Sequence, residues 1–319
     1  FAVAVGSAPI AAVVAGRCGD GLGPITELDL VAWPDRVALG DFDGDGAVDL
    51  VVAPGDFDNL EWFRNEAGLL GPSSTASPTA VNLNAMHSAD IDEDGRDDIV
   101  GYDLGVPGAW TWIQSMVEGP FGASQRVETD DGEFREVAAA DVDGDGWLDL
   151  TGITWSTGGV AVARASGPGV FGEALIANVD LLLTGHTLLD IDGDGDLEIA
   201  AGGTQGLDLM RQGPRTLVLL DPEDSSVHEL FRQELDAWGF ESGDLDGDGF
   251  DDLLVAGWDG DVSLMQSLGD GTFTEAEQVA EASLAADIVV AQLDGRGPLD
   301  FALVDNHRGT MSLYLGEYR

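Results

Sequence analysis

One ten-residue stretch, DFDGDGAVDL from Asp41 to Leu50, constrains this chain more than any other feature. Its acids Asp41, Asp43, Asp45 and Asp49 stand at relative positions 1, 3, 5 and 9, with Gly46 after the third. Alternate residues of a tight loop can aim three carboxylates at one point. A glycine at position 6 permits the positive φ that turns the backbone. Hard cations such as Ca²⁺ take about six to eight oxygens at roughly 2.3–2.6 Å. A carbonyl near Ala47 and the carboxylate of Asp49 complete such a shell, so the loop reads as a calcium site.

The stretch recurs. Further copies carry Asp90, Asp92, Asp94 and Asp98; Asp141, Asp143, Asp145 and Asp149; Asp190, Asp192, Asp194 and Glu198; and Asp244, Asp246, Asp248 and Asp252. A sixth copy is degenerate, with Gln292, Asp294, Arg296 and Asp300 at the ligand positions. The starting points 41, 90, 141, 190, 244 and 292 give a period of 48 to 54 residues, which signals a repeat architecture. The loops are not EF-hands, which need a glutamate at position 12; Val52 stands there in the first loop, inside an apolar run. Five intact loops predict about five Ca²⁺ ions in a structural role. No ion is expected in the sixth, where Arg296 can pair with Asp294 or Asp300 instead.

Between the loops each repeat reads as four short strands. In the first full repeat these are RVALGD (Arg36 to Asp41), VDLVVA (Val48 to Ala53), LEWFR (Leu60 to Arg64) and a weaker TAVNL (Thr79 to Leu83). The runs are rich in Val, Leu and Ala and are bounded by Gly, Pro and Asp, which is strand punctuation. Four strands per repeat in series describe an all-β chain folded as a β-propeller. Residues 1–34 and 286–319 supply three strands each, and five full repeats lie between, at about 35–84, 85–135, 136–184, 185–238 and 239–285. Seven blades of four antiparallel strands, the first and last incomplete, fit this count in one propeller domain over residues 1–319; six blades are the alternative. One repeat is irregular. It offers both LDLMR (Leu207 to Arg211) and TLVLLD (Thr216 to Asp221) as its third strand, and SSVHELFRQELDAW as a strand or a short helix.

These loops, with apolar strands such as VDLVVAPG (Val48 to Gly55), turns such as LGDGTF (Leu268 to Phe273) and Phe-Gly pairs at 121–122 and 171–172, resemble the FG-GAP/VCBS repeats of integrin α-subunit propellers. The resemblance implies calcium loops on one face, between first and second strands. It implies ligands on the opposite face, at second-to-third strand turns and inter-blade connections. Members include adhesion heads, sugar-binding lectins and accessory domains of secreted enzymes, so the fold does not fix the function. No integrin partner domain is recognisable in this chain.

Charge narrows the partners. The chain carries 60 acidic and 13 basic residues, a net charge of −47, and every basic residue is arginine. The five loops use 20 acids, and the remaining 40 still outnumber the arginines threefold. Nucleic acids and anionic membranes are therefore poor partners, since both need clustered positive charge. An acidic, lysine-free surface suits a saline setting where counterions screen self-repulsion. No run nears the roughly 18 apolar residues of a membrane helix, so no membrane insertion is expected. FAVAVGSAPI lacks a basic start and Phe1 is not an initiator methionine, which fits a mature or trimmed chain. Cys18 is the single cysteine and forms no internal disulfide. Calcium use favours an extracellular or cell-surface location.

Enzymatic signals are thin. The histidines His87, His186, His228 and His307 show no catalytic spacing. No nucleophile elbow or phosphate loop occurs, and the paired carboxylates belong to the loops. A non-enzymatic recognition module is expected. Aromatic and polar neighbours recur at the turn after the second strand: Phe57 with Asp58, Tyr102 with Asp103, Trp155 with Ser156 and Trp258 with Asp259, with Asn306 and His307 in the last repeat. Trp33 and Trp238 fall on inter-blade connections at the same face. A ring beside a polar group suits a sugar, and repetition gives avidity, so lectin-like multivalent carbohydrate binding is the first expectation. The alternatives are a protein-interaction or adhesion module, or an accessory domain of a larger secreted protein. The same rings also suit gap-filling between blades, as do Trp62, Trp110 and Trp112 on third strands.

Overall fold

The computed structural model describes residues 2–5, 10–17, 21–31, 33–55, 59–66, 68–75, 81–105, 108–116, 119–129, 134–154, 157–204, 215–222, 228–235, 238–257, 260–282, 285–292, 296–305 and 310–315. All regular structure in them is β. Five four-stranded antiparallel sheets follow one another along the chain, with a three-stranded sheet before them and another after. This is the three, five-times-four, three pattern expected from the repeats. One addition is a two-stranded ribbon, Asn65–Glu66 with Leu69–Leu70.

Within a sheet the strands lie in chain order, so each blade is a meander. The Asp41 blade runs Pro34–Gly40, Asp49–Pro54, Glu61–Phe63 and Ser74–Thr75. Its second strand is buried at every position, as are Asp98–Asp103 and Asp149–Thr154 in the next two blades. A strand covered on both faces needs no polar alternation, which explains why VDLVVA reads as a continuous apolar run. First strands of successive blades are spatial neighbours, and five of the six that precede acid-rich loops shift register near their starts, as between Leu83 and Ala85. The extra residue bends the strand and re-aims its side chain.

The core consists of layers between neighbouring sheets. Ala85, Tyr102 and Trp110 of the Asp90 blade pack with Phe134, Val137 and Leu150 of the Asp141 blade. The Trp110 and Phe134 rings lie 4.8 Å apart, centroid to centroid. Comparable layers join the Asp41 and Asp90 blades through Val51, Leu60, Leu83 and Ile113, and the Asp190 and Asp244 blades through Leu189, Leu217, Phe240 and Val255. Each blade therefore depends on its neighbours for burial, as in other repeat arrays.

One expectation changes and two open choices are settled. The fourth strand of the Asp41 blade is Ser74–Thr75, not Thr79 to Leu83; Leu83 instead opens the next blade. The third strand of the Asp190 blade is Arg215–Asp221, and residues 207–211 lie outside the described residues. His228–Glu234 is a strand pairing with it, which decides against the helix.

Candidate metal centres

Each acid-rich loop joins a first strand to a second, so all of them crown the same rim. The carboxylate at position 1 organises the loop. Asp41 Oδ1 accepts the Asp45 amide at 3.0 Å and Oδ2 accepts the Gly46 amide at 2.8 Å. Asp90, Asp141 and Asp244 do the same for the amides at positions 5 and 6 of their loops. The turn needs left-handed backbone at position 6, where Gly46 has φ of 84°.

The result is a set of converging carboxylates. Oxygens of Asp41, Asp43 and Asp45 lie within 4.8 Å of one another, as do those of Asp90, Asp92 and Asp94; of Asp190, Asp192 and Asp194; and of Asp244, Asp246 and Asp248. In the remaining loop the group is Asp141, Asp143 and Asp149, with Asp145 outside it. Unit charges about 4 Å apart repel by roughly 1 kcal/mol in water and about 4 kcal/mol at an effective dielectric of 20. A bound cation removes that strain.

Position 9 has a second task. Asp49, Asp98, Asp149 and Asp252 are fully buried. Each ties its second strand to the chain leaving the third: Asp49 Oδ1 accepts the Asn65 amide at 2.6 Å, Asp98 the Ser115 amide at 2.7 Å, Asp149 the Ala165 amide at 2.7 Å and Asp252 the Ser267 amide at 2.9 Å. The other oxygen takes the indole N–H of Trp62 or Trp112 in two blades, and a loop amide, Val142 or Leu245, in two others. Burial pushes Asp98 and Glu198 up to about 7 and Asp149 and Asp252 up to about 6; the hydrogen bonds just described, and the Ile191 amide on Glu198 at 3.2 Å, hold them from rising further.

Two observations show that the residues fit a cation. Asp92 Oδ1 is buried without a hydrogen bond of ordinary geometry, an acceptor that lacks a donor. The degenerate loop shows the complement. Gln292 Oε1 accepts the Arg296 amide at 3.2 Å, as the aspartate does in intact loops, while its Nε2 donates to the carbonyls of Gly297 and Pro298 at 3.1 and 3.2 Å. An amide nitrogen thus serves carbonyls of the kind that would face an ion in an intact loop. This revises the expected stand-in: Gln292, rather than Arg296 alone, fills that role. Asp294 lies outside the described residues.

Neighbouring loops are linked. The Asp97 amide donates to Asp41 O at 2.9 Å, and its carboxylate accepts the Asp41 amide at 2.7 Å. Asp251 repeats both contacts on Asp190, at 3.0 and 3.1 Å. The Leu197 and Leu299 amides reach Val142 O and Asp244 O, both at 3.3 Å. Sequence reasoning missed this belt, although the doubled acids Asp97–Asp98 and Asp251–Asp252 mark two of its links. In the Asp190 loop the glycine at position 4 makes room for it: a Cβ on Gly193 would sit 2.9 Å from Phe250 of the next loop.

The opposite rim departs from expectation. Tyr102 is 1% exposed and packs on Phe134, with ring centroids 5.8 Å apart. Its ring fills the layer between two blades and cannot stack on a sugar. Asp103 is also buried and accepts the Asn82 and Gly105 amides at 3.1 and 2.8 Å, so its carboxylate caps the turn. Phe57, Asp58, Trp155, Ser156, Trp258, Asp259, Asn306 and His307 lie outside the described residues. Trp110 and Trp112 are buried and Trp62 half-buried. Trp33 is 48% exposed and Val31 beside it 86%. Arg135 lies 5.8 Å above the Trp238 ring, a cation–π distance. On the first strands, His186 Nδ1 lies 3.1 Å from Glu136 Oε2, and burial lowers His87 to about 4.

These features define a class, the β-propeller with acidic loops able to hold metal ions along one rim. The chain belongs to the FG-GAP-like repeat family, whose profile matches residues 41–101, 141–201 and 244–315. No curated protein sequence matches it. Among solved structures it is similar to BBS1N crystallised in complex with ARL6DN and soaked with lead, at TM-score 0.65 and 12% identity, covering 99% of this chain and 91% of that one. The mercury-soaked form of that complex gives a TM-score of 0.62 at 11% identity, covering 98% and 90%. A protein from Lactobacillus plantarum gives 0.56 at 14% identity, covering 95% and 96%. These likenesses concern the fold.

Proposed function

We propose that this protein is a non-enzymatic, calcium-stabilised recognition module that binds a protein partner through the rim opposite its acidic loops. The carrying observation is the exposed apolar pair Val31 and Trp33 on an inter-blade connection, while Tyr102 is sealed in the core. Several sugar sites would need repeated ring-and-polar turns, and the one such turn among the described residues, Tyr102 with Asp103, is spent on packing. The propeller in the BBS1N structures is likewise found with a protein partner, ARL6DN. A metal bound only by the folded form adds about 4 kcal/mol when free ion is 1,000-fold above Kd. Five ions held this way act as rivets, and they belong where Ca²⁺ is plentiful, outside the cell or on its surface. The proposal extends to accessory domains of larger secreted proteins.

Carbohydrate binding is the second reading. It is favoured by the half-exposed Trp33 with Asp35, also exposed, two residues on. Crosslinking of the intact protein to surface proteins of its native cells, with Trp33→Ala and Val31→Glu as controls, tests the first reading; a single crosslinked protein lost in both variants supports it. A glycan array in millimolar Ca²⁺ tests the second. Glycan binding abolished by Trp33→Ala would replace the protein reading with the lectin one. Calcium's structural role is checked by melting with and without chelator, where an unchanged midpoint defeats it.

A further inference from the structure

The five intact loops share a backbone but not an electrostatic environment, and one third-strand position accounts for much of the difference. The residue after position 9 pairs with the third strand in every blade: Leu50 with Phe63, Ile99 with Ile113, Leu150 with Ala163, Ile199 with Leu220 and Leu253 with Met265. The next residue along the third strand is therefore equivalent in all five. It is Arg64, Gln114, Arg164, Asp221 and Gln266 in turn.

Four of these reach the position-3 carboxylate of their own loop. Arg64 Nε lies 2.5 Å from Asp43 Oδ2, and its Nη2 lies 3.1 Å from Asp45 Oδ2. Arg164 Nη1 lies 2.6 Å from Asp143 Oδ2. Gln266 Nε2 donates to Asp246 Oδ2 at 2.6 Å, and Gln114 Nε2 donates to Asp92 Oδ2. The Asp90 loop has an arginine as well, Arg96 on Asp94. The register puts Asp221 at the same strand position beside the Asp190 loop.

We propose that this position grades the loops by affinity for divalent ions, with Asp221 an added acid that makes the Asp190 loop the tightest site. The Asp244 loop, backed by neutral Gln266, ranks second. The Asp41, Asp90 and Asp141 loops rank last, because an ion entering them must displace or tolerate a guanidinium already placed on its ligands. A unit charge about 6 Å from a divalent ion in a water-like medium changes Kd on the order of tenfold. The inference rests on the metal reading of the loops.

Tryptophan placement makes the order observable. Trp62 and Trp112 donate to position-9 acids of the Asp41 and Asp90 loops, and Trp147 is part of the Asp141 loop. These are the three sites expected to fill late. Metal-stripped full-length protein is titrated with Tb³⁺ under tryptophan excitation, and bound ion is counted by chelator competition. Sensitised emission is expected to lag through the first two equivalents and then rise. Asp221→Asn should weaken the tightest site about tenfold, and Arg64→Gln should bring emission forward by a similar factor. Emission that climbs from the first equivalent, or an Asp221→Asn protein with an unchanged tightest Kd, overturns the ranking. Lack of any Tb³⁺ binding overturns the metal reading itself, so the two failures are distinct. The wild-type titration alone decides the matter if either variant fails to fold.

Discussion

Trp112 Nε1 donates to Asp98 Oδ2 at 2.9 Å inside the protein, joining a third-strand ring to the acid that closes the loop before it. Asp98 is fully buried, so losing this donor leaves a carboxylate oxygen short of a partner. Trp112→Phe keeps most of the ring and deletes the N–H. A loss of about 2 kcal/mol is expected by denaturant unfolding in Ca²⁺. Trp62→Phe removes the same contact to Asp49 at a half-exposed ring and should cost less.

The metal-free protein should respond to pH in an unusual direction for carboxylates. Burial raises Asp98 and Glu198 to about 7 and Asp149 and Asp252 to about 6. Free carboxylates titrate near 4. Between these limits the folded state holds protons that the unfolded chain has released. Stability therefore falls as pH rises through the window from about 4 to 7. In chelator, the melting midpoint should be higher at pH 5.5 than at pH 7.5. Added Ca²⁺ competes with those protons, so its stabilising increment should grow with pH. A chelated protein that melts higher at pH 7.5 contradicts this.

Gly193 tests the belt between loops. Its φ is 77°, and a Cβ there would meet Phe250 Cε1 at 2.9 Å. Left-handed backbone costs a residue with a side chain about 1–2 kcal/mol. Gly193→Ala should lose at least that much, plus the clash. Trimming the neighbour with Phe250→Ala should cost less in the Gly193→Ala background than in wild type. A double-mutant cycle on thermal unfolding measures the difference, and strict additivity would argue that the loops do not bear on each other.

The degenerate loop offers a gain of function. Gln292 closes it with one accepted and two donated hydrogen bonds, and Arg296 occupies position 5. Gln292→Asp with Arg296→Asp restores acids at positions 1 and 5. One extra equivalent of Ca²⁺ should bind, counted by chelator competition, relative to the parent protein.

Much of this was legible in the sequence because the metal loops are local. Spacing within nine residues fixes where Asp41, Asp43 and Asp45 converge, and the period places the strands around them. What could not be read depends on partners far along the chain. Tyr102 reads from sequence as a turn residue with an exposed ring, but it lies within the second strand, Asp98–Asp103, and Phe134 of the next blade covers it. The fourth strand of the Asp41 blade escaped notice because Ser74–Thr75 is two polar residues with no apolar pattern. Arg64 and Asp221 align only once third-strand register is known, since the third-strand position lies 31 residues after Asp190 but 24 after Asp90, 7 more than the neighbouring spacing would give. Asp97 was visible as half of a doubled acid, yet its reach to Asp41 is a contact between blades.

The links between successive loops bear on how such a chain can lengthen. At four junctions between units of about 50 residues the amide at position 8 of one loop is a latch and the carbonyl at position 1 or 2 of the loop before it a keeper: Asp97 on Asp41, Leu197 on Val142, Asp251 on Asp190 and Leu299 on Asp244. Duplicating or deleting a whole unit leaves each latch facing a keeper. Moving a unit's boundary into the loop would strand one of each, so inheritance by complete units is built into the rim itself.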